Sequence, residues 1–473
     1  MFQQSLWFKG TDFTLGMFFG SNRANLIENP MRRTFYTLMG CLCIPLLFGC
    51  SSEKSNTEDI QQDTVQVTGG QQPLMLPEPD TTFNPKNYSK VVGWQDGETP
   101  VAPAGFTVTK FADGLDNPRW AYEGPNGDIF VAESATEADV KTKAEAVLSG
   151  KEKSLNLGSA NRITLFRDTD KDGMPDLREV FLEGLNQPFG MLILGNQFYV
   201  ANTDGLMQFP YEDGQTKITG EGKKILELPA GGYNNHWTRN IIANKDGSKI
   251  YISVGSGSNV GENGMEHEVR RANILEINPD GSGERVYASG LRNPVGMGWA
   301  PGSDRLWTAV NERDGLGDEL VPDYLTGVEE GGFYGWPYAY FGQNIDPRSG
   351  QVPDLVKKTL VPDVPLVAHS ASLGLAFYNQ QAFPEKYRNG AFIGQHGSWN
   401  RTELVGYKVL FVPFKNGEPA GEPEDFLTGF IKDKEKNEVY GRPVGVTVLS
   451  DGALLVMDDS SNTIWRIGVN EGN

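Results

Sequence analysis

N-P-V-G-M-G-W-A-P-G-S-D-R-L-W-T-A-V runs from Asn293 to Val310. A proline leads into a short apolar run. G-S-D then supplies turn residues, and L-W-T-A-V supplies a second apolar run rich in strand formers. Gly, Asn, Asp and Ser are what a tight hairpin turn requires, so the stretch reads as two antiparallel strands joined by a turn. One hairpin says little about a fold. Its recurrence says much more, because a repeated unit that cannot bury its own apolar face must stack on its neighbours.

The pattern recurs five more times. N-P-R-W-A-Y-E-G-P-N-G-D-I-F-V-A-E starts at Asn117, Q-P-F-G-M-L-I-L-G-N-Q-F-Y-V-A-N at Gln187 and T-R-N-I-I-A-N-K-D-G-S-K-I-Y-I-S-V at Thr238. S-L-G-L-A-F-Y-N starts at Ser372 with its partner G-A-F-I-G-Q-H delayed to Gly390, and R-P-V-G-V-T-V-L-S-D-G-A-L-L-V-M-D starts at Arg442. Further strand-like runs lie between the copies, among them R-I-T-L-F-R, N-I-L-E-I-N, V-G-Y-K-V-L-F-V-P-F and T-I-W-R-I-G. Two inner and two outer strands per copy predict an all-β chain: a six-bladed β-propeller of four-stranded antiparallel blades over residues 101–470. One helical insertion is expected, at Ala138–Gly150.

The first hundred residues read differently. Met31-Arg32-Arg33 precedes an apolar run, Phe35 to Phe48, and L-F-G-C ends at Cys50. A basic start, a short apolar stretch and a small residue before the cut describe a secretory signal, too short to span a bilayer. Residues 1–30 are then expected to be a mis-assigned upstream extension and residues 31–50 a signal peptide. The cysteine placement resembles a bacterial lipobox. That resemblance implies a lipidated Cys50 and an exported, lipid-anchored protein at the bacterial cell envelope, facing the periplasm or the cell surface. Residues 51–100 are polar and aperiodic, the composition of a disordered linker.

Composition narrows the chemistry. The three cysteines, Cys41, Cys43 and Cys50, all fall in the signal, so the remainder has no thiolate nucleophile and no C-x-x-C-H haem site. A net charge of −19 argues against nucleic acid as a partner. S-V-G-S-G-S-N-V-G lacks the glycine spacing of a dinucleotide site, and no G-x-S-x-G elbow is present. D-T-D-K-D-G-M-P-D-L-R-E is sharper. Asp168, Asp170, Asp172, Met174 (by its carbonyl), Asp176 and Glu179 fall on the ligand positions of a calcium loop, with Gly173 at the turn. Strands flank it, so the expected Ca²⁺ is structural.

In a propeller, the loops that start each copy and those that follow its second strand meet at the channel mouth. This predicts that N-N-H-W-T-R (from Asn234), L-R-N-P (from Leu291), N-E-R-D-G-L-G-D-E (from Asn311), A-H-S-A-S (from Ala368), Q-H-G-S-W-N-R (from Gln395) and G-R-P (from Gly441) share one site. Cations, neutral histidines and amides together suit a planar polyanion and a proton acceptor.

G-L-R-N-P-V-G, G-G-Y-N-N-H, E-R-D-G-L-G-D-E, G-F-Y-G-W-P and G-R-P-V-G-V-T-V-L-S-D-G resemble the soluble quinoprotein sugar dehydrogenases. These are the glucose and aldose dehydrogenases that use pyrroloquinoline quinone (PQQ), together with their L-sorbosone dehydrogenase relatives. The resemblance covers roughly residues 103–469. It implies PQQ and Ca²⁺ as cofactors, a small sugar or sugar-aldehyde substrate, and an external electron acceptor such as a quinone or cytochrome. It implies that His236 is the catalytic base and that Arg292, Asn293, Arg442 and Asp318 lie at the cofactor. Glu312, Arg313 and Asp314 would form the segment that holds the cofactor Ca²⁺. Three departures stand out. Asn235 replaces an Asp, Asp314 replaces a Pro, and the cofactor lysine has no match, which leaves Arg401 to supply that cation. Two other readings share the fold: a Ca²⁺-dependent hydrolase of the lactonase type, and a non-enzymatic propeller that binds glycan or protein. The arginine set argues against the first; the second would tolerate loss of His236.

Overall fold

The computed structural model describes residues 74–137, 144, 147–148 and 157–470. The upstream extension, the signal with Cys50, the first part of the linker and nearly all of the expected Ala138–Gly150 helix lie outside these residues. Among the described residues the chain is nearly all β, and the one α-helix given full bounds is the four-residue Pro353–Val356.

Six four-stranded antiparallel sheets form, five of them each from one sequence copy and its following strands and the last completed by a strand from before the first copy. In the first, Pro118–Glu123, Ile129–Glu133, Arg162–Arg167 and Leu177–Leu182 lie side by side. In the fourth, the hairpin Pro294–Trp299 and Leu306–Val310 joins Tyr324–Gly327 and then Val364–Pro365. The leading strands contact one another in a closed cycle: Pro118–Glu123, Met191–Leu194, Ile241–Ala243, Pro294–Trp299, Ala376–Phe377, Pro443–Val448 and back to the first. This is a propeller-like arrangement. Second strands such as Ile129–Glu133, Ile250–Val254 and Leu306–Val310 are buried at every residue. That explains why they read as continuous apolar runs rather than as alternation.

The core lies between consecutive sheets. Phe130, Phe181 and Phe198 pack where the first sheet meets the second, with ring centroids 4.7–5.2 Å apart. Leu192, Ile252 and Leu275 fill the next interface, and Trp307, Ile393 and Leu410 a later one. The last sheet closes in a way that repeat counting misses. Its outer strand is Phe106–Ala112, which precedes the first copy and pairs antiparallel with Thr463–Val469 at the other end of the chain.

The polar composition of 51–100 predicts a disordered linker, but residues 74–100 are anchored to the sheets at several points. Lys90–Val91 pairs in parallel with Glu438–Val439. Tyr88 stacks on Trp399 at 5.6 Å, and Trp94 stacks on Tyr440 at 4.6 Å while its Nε1 donates to Asp458 at 2.8 Å. Two aromatic anchors and a short backbone ladder hold a segment whose average composition looks unfolded. It runs as a strap over the end of the sheets that carries the site.

Candidate active site

A cleft of about 970 Å³ opens at the ends of the leading and second strands. His236, Arg292, Asn293, Asp314 and Arg442 all line it, so five residues scattered over 207 positions of sequence share one cleft. The strap adds Thr81, Asn84, Tyr88 and Ser89. Four arginines (Arg119, Arg292, Arg348, Arg442) face two carboxylates (Glu137, Asp314) among the described lining residues. In a chain of net charge −19 this is a local reversal of sign.

His236 is buried, and its loop is built around it. Nδ1 lies 2.8 Å from the Ser256 carbonyl and 3.0 Å from its hydroxyl. A carbonyl only accepts, so Nδ1 carries the proton and the Nε2 lone pair is left free. The Asn235 amide approaches Nε2 to 3.5 Å. Burial, then the charge of Arg292, pushes the imidazole well below its usual range, so it is neutral near pH 7. The glycines of S-V-G-S-G make room for this loop. A Cβ on Gly255 would stand 2.4 Å from Asn293 Oδ1 and 2.6 Å from His236 Cβ. Arg239, fully buried, holds the loop from behind through the carbonyls of His236, Thr238 and Pro229.

A second histidine stands on the same cleft. His396 Nε2 donates to Asp459 at 2.8 and 3.0 Å, which leaves its Nδ1 lone pair free. Burial and the charge of Arg442 push this imidazole down to about 4. Burial alone would raise the Asp459 carboxyl, but His396, Arg119 and Arg442 outweigh it and hold it well below the ordinary range. Arg119 pairs with Asp459 and lies over the Trp237 ring at 5.3 Å. Arg442 donates to the carbonyls of His396 and Gly397, each at 3.0 Å. His396 and Arg119 stand in segments of the repeat pattern but were not among the expected site residues. The signal for Arg119 was positional: it follows the proline of the first copy, as Arg442 precedes the proline of the last.

Other expected site residues fall elsewhere. Arg401 turns away from the cleft and binds the Asp318 carbonyl and Glu319, while the Asp318 carboxylate accepts from the Thr402 amide at 3.0 Å. Neither is a cleft-lining residue. Glu312 and Arg313 are buried against each other, Nε to Oε2 2.9 Å, and Arg313 extends to the carbonyls of Pro337 and Ala339. Arg292 spends its donors on Asn259, Asn311, Glu312 and Asp314. A guanidinium committed in this way orders a loop first; any ligand contact is made beside those bonds.

In the acidic loop, Asp168, Asp170 and Asp176 bring carboxylate oxygens within 4.8 Å of one another, whereas Asp172 and Glu179 stay outside that group. Asp170 accepts from the Asp172 amide, which lowers its carboxyl. The charges of Asp172, Asp176 and Asp168 outweigh this and raise it.

Propeller-like sheets around a cationic, amide-lined cleft define the class of β protein to which the chain belongs. The chain belongs to the TrAA12-like family, whose model matches residues 100–322 and 355–470. It is 29% identical over 381 residues to an uncharacterized protein of Borreliella burgdorferi, covering 77% of this chain and 89% of that one. It is 27% identical over 269 residues to the aldose sugar dehydrogenase YliI of Escherichia coli (strain K12), covering 53% of this chain and 64% of the relative's length. The holo form of the pyranose dehydrogenase PQQ domain from Coprinopsis cinerea superposes with a TM-score of 0.62 at 19% identity, covering 80% of this chain and 98% of that domain.

Proposed function

We propose that this chain is a PQQ-dependent dehydrogenase that oxidises a sugar or sugar aldehyde and passes the electrons to an external acceptor. The six sheets act as six blades around the cleft. The observation that carries the reading is the sign reversal: four arginines line the cleft of an acidic chain. A neutral lactone needs no such cradle, whereas a tricarboxylate quinone does. Two further features of the cleft fit. Arg119 Nε and Asn293 Oδ1 are buried without a protein partner, one a donor and one an acceptor, both on cleft-lining side chains. Buried polar atoms of this kind call for a polar ligand. Arg119 and Arg442 would hold carboxylates, with Asn293 beside them. The kinship with aldose and pyranose dehydrogenases supports the substrate class.

PQQ, when bound, supplies a two-electron acceptor for the hydride that leaves the sugar carbon. The protein must take the other product, a proton. A neutral imidazole with a free lone pair does so: the substrate O–H breaks, its C=O forms, and the proton rests on the ring nitrogen. His236 Nε2 meets this description. His396 supports a second reading, because its partner Asp459 stabilises the imidazolium as it forms. The amides of Asn235, Asn293 and Asn311 lie on the same wall, with the hydroxyl of Thr136. These are the neutral donors and acceptors that sugar hydroxyls require.

The same proposal places the domain outside the cytoplasm on a lipidated Cys50; Cys50→Ser would release it from membranes. The catalytic reading is tested by adding PQQ to the purified full-length chain and following cofactor absorbance and dye reduction with a panel of aldoses and sugar aldehydes. Bound cofactor and sugar-dependent dye reduction are expected. If neither appears, the reading is wrong.

A further inference from the structure

Within the loop Asn311–Asp318, Glu312 to Asp314 is the segment that the family resemblance assigns to a cofactor calcium. Many of the loop's oxygens already accept hydrogen bonds. Arg292 Nη1 donates to the carbonyls of Asn311 and Glu312 at 3.2 and 2.7 Å. Arg348 Nη1 donates to those of Asp314 and Gly315 at 2.5 and 3.2 Å. His369 Nε2 donates to Gly317 at 2.9 Å, and Arg401 caps Asp318. The carboxylates are taken too. Asp314 lies between His369 Nδ1 at 3.0 Å and Arg292 Nη2 at 3.4 Å, and Glu312 is paired with Arg313.

A hard cation such as Ca²⁺ needs six to eight oxygen ligands, and a neighbouring guanidinium repels it. Here the oxygens point at guanidinium and imidazole N–H groups, so the loop does not fit a calcium ion. The capping cation is itself braced. Arg348 makes a fork to Asp346, Nε to Oδ1 3.0 Å and Nη2 to Oδ2 2.8 Å, and Asp346 is fully buried with Arg313 at 3.4 Å. Arg348 also lines the cleft. Both Asp346 and Arg348 fall in residues 323–354, the gap between the two parts of the family match.

We propose that Arg348 stands in for the cofactor metal, so that this end of the cleft is an arginine-capped, metal-free site. The guanidinium holds the Asp314–Gly315 turn closed and offers its charge to a quinone in the cleft. The metal-free part depends only on the loop; the part concerning the quinone rests on the reading under Proposed function.

The test separates the two. Purified full-length chain carrying Asp168→Asn, Asp170→Asn and Asp176→Asn, which removes the acidic loop as a calcium site, is stripped with chelator. Bound Ca²⁺ is then counted by equilibrium dialysis. No bound calcium is expected; calcium retained by this variant overturns the proposal. PQQ affinity is measured by absorbance titration with and without Ca²⁺ on the parent chain. The two values are expected to agree within about twofold, and a requirement for Ca²⁺ overturns the proposal. Arg348→Ala should weaken PQQ binding by about 10–100-fold, the range for a charge-assisted bond, and Arg348→Lys should recover part of it. Unchanged affinity in a folded Arg348→Ala chain removes Arg348 from the role. If PQQ binds under neither condition, the functional reading falls, and the calcium count still decides whether the loop is metal-free.

Discussion

Two histidines lining one cleft divide the question of the base between them. His236 and His396 are both buried, both neutral near pH 7, and both keep one unprotonated ring nitrogen, with the Asn235 amide 3.5 Å from that of His236. They differ in what stands behind the ring: a serine carbonyl in one case, a carboxylate in the other. Their kinetics should therefore part. Alanine at the true base is expected to cut turnover by roughly 10²–10⁴ while PQQ absorbance is retained; alanine at the other should cost far less. Their thermodynamics agree in sign. A histidine whose folded value lies near 4 against an ordinary 6.5 binds its proton more readily in the unfolded chain. The stability it contributes is complete above pH 6.5 and is lost as pH falls toward 4. His396→Gln should flatten the decline of unfolding free energy over that window, measured by denaturant titration. An undiminished slope would assign the acid sensitivity to other groups. At Asn235 a neutral amide, 3.5 Å from Nε2, stands where the resemblance implies a carboxylate.

At the scale of elements, hairpins and turns were readable because each copy carries its own punctuation. P-N-G-D and S-D-G-A mark turns whatever surrounds them, and the runs I-F-V-A-E and L-L-V-M-D announce strands buried on both faces. The strap was not readable, because its order comes from partners more than three hundred residues away: Trp399 for Tyr88, Tyr440 and Asp458 for Trp94. Arg348 was hidden for a different reason. It lies outside any copy, and only the folded chain brings it to Asp314. The acidic loop was the reverse case, a local motif whose ligand spacing is written in the sequence. The structure gathers Asp168, Asp170 and Asp176 but leaves Asp172 and Glu179 apart. Calcium is expected to draw the loop together and raise the melting temperature of the wild-type chain. Asp168→Asn should abolish the rise, and an equal rise in that variant would place the bound ion elsewhere.

The whole molecule depends on one long-range closure. Phe106–Ala112 completes the last sheet by pairing with Thr463–Val469. Phe111 in that strand is buried and meets Phe166 at 5.7 Å, so the closure is also a packing contact with the first sheet. Phe111→Ala should lower the unfolding free energy by about 3–5 kcal/mol, the cost of emptying an aromatic core position, as read by urea titration. A loss below about 1 kcal/mol would mean that the ring holds without this strand. The six copies were enough to predict the ring, since each shows the same pattern. They could not show where the ring is sealed, because the sealing strand belongs to no copy.

That seam sets an order of events on the ribosome. Phe106–Ala112 waits for Thr463–Val469, so the ring cannot seal until that distant strand has been synthesised. Contacts of such sequence separation form slowly. Until then the chain keeps an open edge at each end, one on Phe106–Ala112 and one on Thr463–Val469. A polypeptide that cannot finish folding while it is still being made stays threadable for longer, and it also needs protection of those edges from other chains for as long.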